Sequence, residues 1–172
     1  MKIFICEICG DAYLGDDKPS QCPFCGANYS FIKISTDAKP IINQKIELSE
    51  KSKENLTATY ALETRATAIY NCMAGKTKEY AIKAMYKRLA KVELEHAIIV
   101  TKIMGMGAPE IKTENCSDDD MENFKATLAL EEHASSLYQQ FAGEASELEI
   151  KRLFVALNGA ELGHVELIKG LM

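Results

Sequence analysis

A mainly α chain, in which a four-helix bundle follows a small cysteine-bound module, is predicted by three observations. First, the stretches ALETRATAIYNCMAG (61–75) and ALEEHASSLYQQFAG (129–143) align without a gap at an offset of 68 residues. Second, at that same offset RLAKVELEHA (88–97) falls on ALNGAELGHV (156–165), so that Glu63 pairs with Glu131, Tyr70 with Tyr138, Glu93 with Glu161 and His96 with His164. Third, four of the six cysteines lie within the first 25 residues, in CEICG (6–10) and CPFCG (22–26). A Glu followed thirty residues later by Glu-x-x-His, given twice, is the ligand pattern of a carboxylate-bridged two-metal site inside a four-helix bundle.

Residues 1–35 are rich in Cys, Gly and Pro and contain short β-prone runs at 2–6 and 29–34. So small a core cannot hold itself together, which predicts a module stapled by metal. In each Cys-x-x-Cys-Gly knuckle two thiolates converge on one ion, and the Gly relaxes the turn so that amides can point at sulfur. Cys6, Cys9, Cys22 and Cys25 thus make a tetrahedral four-thiolate site that fits either iron or zinc. Residues 36–48 carry a Pro and no sustained helical period, and read as a linker.

The bundle is expected over 49–172. A first helix starts near Ser49 or Ser52 and stops around Gly75, with Leu56, Tyr60, Glu63, Tyr70 and Met73 on its inward face. A second carries Leu89, Glu93, His96 and Val100 on one stripe and ends in MGMGAP (104–109). Residues 108–116 form a long crossover, and Ser117 followed by three Asp reads as the cap of a third helix bearing Phe124, Glu131, Tyr138 and Phe141. Ser146 with Glu149 is a capping-box signature for a fourth helix, whose stripe is Leu153, Leu157, Glu161, His164 and Ile168. Gly159 and Gly163, costly in a helix interior, are expected to permit close helix packing.

The composition excludes some functions. A net charge of −5 with no Lys/Arg cluster argues against nucleic acid as a partner. No apolar run reaches the ~18 residues of a membrane span, and no signal peptide is evident, so a cytoplasmic protein is expected. In that compartment paired Cys-x-x-Cys motifs are metal ligands rather than disulfides. Cys72 is then read as a helix thiol without catalytic role, on the opposite side from Glu63, and Cys116 as a loop residue.

Carboxylates on a core stripe demand neutralisation. Positions i and i+3 share a helix face, so Glu93 with His96 and Glu161 with His164 each reach a common point, joined by Glu63 and Glu131. Oxygen and imidazole donors without thiolate suit iron or manganese. Tyr70 and Tyr138 lie two turns past their acids on the same face, and their phenols are expected to hydrogen-bond the ligand carboxylates. His133, about 200° round the helix from Glu131, is expected to face solvent.

With these motifs set out, CEICGDAYLGDDKPSQCPFCG resembles the rubredoxin-like module of rubrerythrins, and the doubled Glu…Glu-x-x-His resembles their ferritin-like di-iron bundle with its long crossover. In most rubrerythrins the module follows the bundle; here it comes first, as in the reverse rubrerythrins. The resemblance implies one redox-active iron on Cys6, Cys9, Cys22 and Cys25, and two irons on Glu63, Glu93, His96, Glu131, Glu161 and His164. It implies reduction of hydrogen peroxide to water, with electrons from a reductase or rubredoxin entering through the four-thiolate iron. It also implies a homodimer in which one subunit's module approaches the partner's di-iron site. Alternatives are a ferroxidase or iron-storage protein that uses dioxygen, or an electron-transfer protein. Rubrerythrins of the best-known type carry a further carboxylate three residues after the third-helix Glu, where this chain has Ala134, and Glu-x-x-Glu where it has Glu161-x-x-His164. The resulting symmetrical six-ligand set resembles that of bacterioferritins.

Overall fold

The computed structural model describes residues 1–172. Its N-terminal part is a three-stranded antiparallel sheet in the order β2-β1-β3, formed by β1 (Lys2–Cys6), β2 (Ala12–Gly15) and β3 (Ile32–Ile34). Four long helices follow: α1 (Glu50–Lys76), α2 (Tyr80–Met104), α3 (Asp120–Glu144) and α4 (Leu148–Lys169). The helices α1 and α2 pack as one hairpin and α3 and α4 as the other, with α1 meeting α3 across the bundle. No helix is long and apolar enough to cross a membrane.

Caps set the helix boundaries. Ser49 accepts the Ser52 amide at the start of α1, and Gly105, at φ 66°, ends α2 in the left-handed conformation that glycine tolerates. At the start of α3 the capping side chain is Asp119, which accepts the Glu122 amide at 2.8 Å. The expected cap Ser117 lies two residues upstream and instead donates its hydroxyl to Glu122. The capping box expected at Ser146 does not form. Glu147 precedes α4, and its carboxylate accepts the Ser49 amide and the Ser52 hydroxyl, both at 2.5 Å, tying the starts of α1 and α4 together. Gly159 and Gly163 also depart from expectation: a Cβ at either would meet nothing within 4 Å, so they lie on the open outer face of α4 and serve no close packing.

The bundle interior is layered along its axis. One apolar cluster holds Leu56, Ile99, Val100, Phe141, Phe154 and Leu157, and a second holds Tyr70, Met73, Tyr86, Phe124 and Ile168. Between them in each helix come the buried acids Glu63, Glu93, Glu131 and Glu161. Tyr60, expected in the core, is only half-buried; Thr59 is inward instead, and the Tyr60 hydroxyl accepts the Glu110 amide.

The N-terminal module shares the first of these clusters, because Phe4, Ile8 and Ile32 and the four knuckle cysteines pack continuously with the bundle residues. The segment read as a linker is part of this packing. Ile41 is fully buried, its amide donates to the Glu7 carbonyl at 2.8 Å, and Ile46 and Leu48 lie against the same cluster. One hydrophobic core therefore fixes the module on the bundle.

The crossover runs along α1 as a strap. Glu110 meets Tyr60, Glu114 meets Arg65 at 3.5 Å, the Cys116 carbonyl accepts Lys76 at 2.6 Å and Asp118 pairs with Lys76 at 3.1 Å. The strap is closed covalently: Cys72 and Cys116, read from sequence as an unpaired helix thiol and a loop residue, form a disulfide. Sequence reasoning missed it because compartment, rather than position, was used to judge the pair, and only the path of the crossover brings Cys116 over Cys72. A cross-link spanning 44 residues restricts the unfolded chain by about 4 kcal/mol on the chain-entropy relation. Reduction by dithiothreitol is expected to lower the guanidinium unfolding midpoint of the wild type. The Cys72→Ser variant should already have the lower midpoint and be indifferent to the reductant; equal midpoints for all three would show that the disulfide contributes nothing.

Candidate metal centres

In the module the two knuckles face each other. Gly10 and Gly26 adopt φ of 83° and 71°, which lets their amides turn back onto the Cys6 and Cys22 carbonyls at 2.9 and 3.0 Å. Cys6 Sγ lies 3.7 Å from Cys25 Sγ, and Cys9 Sγ 3.7 Å from Cys22 Sγ. A tetrahedron with metal–sulfur bonds of about 2.3 Å has edges of about 3.8 Å, so the thiols already stand at ligand spacing. All four are buried.

In the bundle, donors group into two sets that share two members: Glu63, Glu93, His96 and Glu161 in one, Glu93, Glu131, Glu161 and His164 in the other. The shared carboxylates divide their oxygens. His96 Nδ1 is 3.1 Å from Glu93 Oε2 and 3.3 Å from Glu161 Oε1, whereas His164 Nδ1 is 3.3 Å from Glu93 Oε1 and 3.0 Å from Glu161 Oε2. Glu93 and Glu161 are thus placed to bridge two cations. Glu63 stands 3.4 Å from His96, and Glu131 3.4 Å from His164, each completing one position. Each position takes its unshared pair from one sequence repeat and one bridge from each.

The tyrosines cross between repeats. Tyr70 of the first donates to Glu131 of the second at 2.5 Å, and Tyr138 of the second donates to Glu63 of the first. The phenols do reach ligand carboxylates, but those of the opposite half, because α1 packs against α3. Burial, reinforced by Glu131, holds the Tyr70 phenol well above its usual range; burial and Glu63 do the same to Tyr138, so both remain donors.

The residues present fit two cations. Glu93 Oε1 and Oε2, Glu161 Oε1 and His96 Nδ1 are buried without a hydrogen-bond partner, an unfavourable state that ligation would relieve. Titration points the same way. Burial pushes Glu63 up to about 8, and burial with Glu93 raises Glu131 well above the carboxylate range. Burial also opposes charge on Glu161, but the hydrogen bond from His164 and the His96 imidazole beside it hold it well below that range. Burial disfavours protonation of both imidazoles, yet Glu63 beside His96 and Glu93 beside His164 outweigh it and raise them. A four-cysteine site and a carboxylate–histidine cluster, both suited to iron, are the result.

The two centres touch. His96 Nε2 lies 2.9 Å from the backbone carbonyl of Cys25, which links a ligand of one centre to a ligand of the other within a single chain. Around this link, Arg152 on α4 donates to Glu7 inside the first knuckle at 2.9 Å, and Arg88 on α2 donates to the Phe24 carbonyl at 3.3 Å. At Gly26 a Cβ would come within 3.0 Å of the Ala160 Cβ, so the second knuckle approaches α4 as only glycine allows. Sequence reasoning missed Glu7, Arg88, Arg152 and Glu95; the unusual acid between two knuckle cysteines was the one signal for Glu7. Glu95, turned toward Cys9 and Asp11, is raised to about 7 by burial and then by Asp11. His133 is exposed, as its helix position requires, and Ala134 is buried in the core.

Metal loading should release protons, since ligation needs Glu63 and Glu131 ionised and His96 and His164 neutral. At pH 7 Glu63, with its value near 8, is largely protonated in the metal-free chain. Titrating protein whose four-cysteine site is already filled with zinc and whose bundle site is empty, with Fe(II) or Co(II) in dilute buffer containing a pH indicator, is expected to liberate more than one proton per chain at pH 7. Release should diminish as pH rises past 8; a pH-independent absence of release would refute this protonation pattern.

The rubrerythrin family model matches residues 54–121. A curated relative, reverse rubrerythrin-1 of Clostridium acetobutylicum, is 30% identical over 114 residues, which cover 61% of this chain and 63% of the relative. The match therefore spans a little under two thirds of that protein. No solved structure matches the chain. The matched helical segment, the relative and the four-cysteine module lying ahead of the bundle make this chain similar to rubrerythrins, with the parts in the reverse order.

Proposed function

We propose that the protein is a non-haem di-iron peroxidase of the cytoplasm, reducing hydrogen peroxide to water with electrons delivered by a reductase or rubredoxin through its four-cysteine iron. The balance is one peroxide, two protons and two electrons to two waters. Glu63, Glu93, His96, Glu131, Glu161 and His164 would hold two irons, and Cys6, Cys9, Cys22 and Cys25 a third, which together would supply and replace the two electrons that the reduction needs. The observation that carries this reading is the hydrogen bond between His96 Nε2 and the Cys25 carbonyl, which joins a donor residue of one centre directly to a donor residue of the other.

The chain's own groups support the reaction in separate ways. Tyr70 and Tyr138 keep their protons on oxygen and orient Glu131 and Glu63, fixing the ligand that each metal does not share. The Cys25 carbonyl fixes the His96 ring and its tautomer, with Nε2 as donor and Nδ1 turned to the site. Apolar layers on both sides exclude bulk water. The homodimer implied by the resemblance is kept in this reading, but no partner module is needed, since the chain's own module stands at its own bundle site.

Stopped-flow mixing of reduced protein with peroxide and with dioxygen tests the activity. The di-iron absorption is expected to appear faster with peroxide; an equal or slower rate would exclude a peroxidase. Tyr70→Phe is expected to slow the step by about tenfold without loss of metal, the scale of a lost partner to a ligand carboxylate. A second reading, ferroxidase or iron storage, is favoured by the symmetrical six-ligand set and the buried Ala134. Iron counting separates the two: one iron in the module and two in the bundle per chain support catalysis, and loading well beyond that supports storage.

A further inference from the structure

The two bundle positions are equivalent in sequence but not in surroundings. Five of the six donor side chains are no more than 3% exposed, whereas His164 is 12% exposed. The outer nitrogen of His96 is capped by the Cys25 carbonyl, and no protein group caps that of His164. Instead His164 borders a crevice of about 550 Å³ between the module and the bundle. Cys22 and Gly26 form its module wall, Leu89 and Val92 its α2 wall and Leu167 its α4 wall, with Arg88 at the rim.

We propose that this crevice is the route by which a small uncharged oxidant reaches the bundle site, with the His164 ring as the last side chain it passes. The identity of that oxidant as peroxide rests on the function proposed above; the route itself does not. Three features argue for it. Every other donor side chain is sealed, so a molecule from solvent meets the donor set at His164. Buried carboxylates behind apolar walls disfavour anions, so an uncharged molecule is selected. The His96 ring is held from behind by the Cys25 carbonyl, while the His164 ring is held only on its inner side, by Nδ1 against Glu161 and Glu131, and its outer edge is left open to the crevice. The arrangement divides the labour of a pair with near-identical donors: the position of Glu131 and His164 faces incoming oxidant, and the position of Glu63 and His96 faces the four-cysteine centre. The module thus builds both sides, sealing one imidazole with Cys25 and walling the route to the other with Cys22 and Gly26.

The test uses nitric oxide, a small uncharged ligand of ferrous sites, added to the fully loaded reduced protein. Leu167, 44% exposed on the crevice wall, is replaced by Trp to narrow the route, and Val155, 49% exposed on the outer face of the same helix, is replaced by Trp as a control for bulk. The binding rate of nitric oxide, followed optically, is expected to fall by about tenfold in Leu167→Trp, a barrier increase of ~1.4 kcal/mol, and to be unchanged in Val155→Trp. Arg88→Trp, at the rim, supplies a second plug should Leu167→Trp fail to fold. Wild-type rates in the plugged variants overturn the route. A slowed rate in them, together with wild-type protein that does not favour peroxide over dioxygen, leaves the route standing and removes the peroxidase reading.

Discussion

Four carboxylates and two imidazoles buried in the middle of an otherwise apolar bundle are the constraint on which the rest of this structure depends. Ionised and alone, such groups are strongly unfavourable in a core, and the protein's local answers are visible: protons retained on Glu63 and Glu131, charge drawn onto the histidines, phenols donated to Glu63 and Glu131. These answers are incomplete, since both oxygens of Glu93 and one of Glu161 are left without hydrogen-bond partners. Within the site the unsatisfied atoms are these three carboxylate oxygens and His96 Nδ1, so that three of the four belong to the two acids that face both positions. The deficit is therefore concentrated where a pair of cations would be shared, a distribution that a merely structural polar layer has no reason to adopt.

That layer also explains the packing above and below it. Apolar clusters close the bundle on each side, and the upper one extends through Ile41 and the knuckle cysteines into the module. Docking the module there breaks a twofold resemblance that the repeats otherwise preserve. His96 acquires a carbonyl cap from Cys25, and His164 acquires a crevice. Duplicated sequence thus yields two unlike positions because the module's second knuckle caps one imidazole with Cys25 and only walls a crevice beside the other with Cys22 and Gly26. Glu7 with Arg152, and Gly26 against Ala160, hold that asymmetry in register.

Much of this was legible in the sequence because it is local or periodic. The helix stripes, the doubled Glu-x-x-His and the two knuckles are short-range patterns, and each follows from residues a turn or two apart. What was not legible depends on where distant segments run. The Cys72–Cys116 disulfide follows from the path of the crossover, and the exchange of tyrosines between halves from α1 packing on α3. Likewise Ile41 lies in a stretch with no period at all, yet it is fully buried, because a single side chain at a domain junction needs no repeat to be core. Gly159 and Gly163 show the converse error: an unusual residue in a helix was given a packing reason, when its face is simply open.

The place of Ala134 bears on how the site and its chemistry are coupled. A carboxylate at that position would offer the site a further donor; here the side chain is a methyl group sealed within the apolar cluster that also holds Tyr138. Any adjustment of the pair during reaction must then come from the six donors themselves. Of these, His96 is tethered through Cys25, Glu63 and Glu131 are tethered through tyrosines, and Glu93 and Glu161 are each committed to both positions. His164 alone has no partner behind it, and it is the donor that meets solvent. Exposure and the lack of an outer hydrogen bond thus converge on one imidazole, which sets the two positions of a symmetrical ligand set apart at the crevice beside the module.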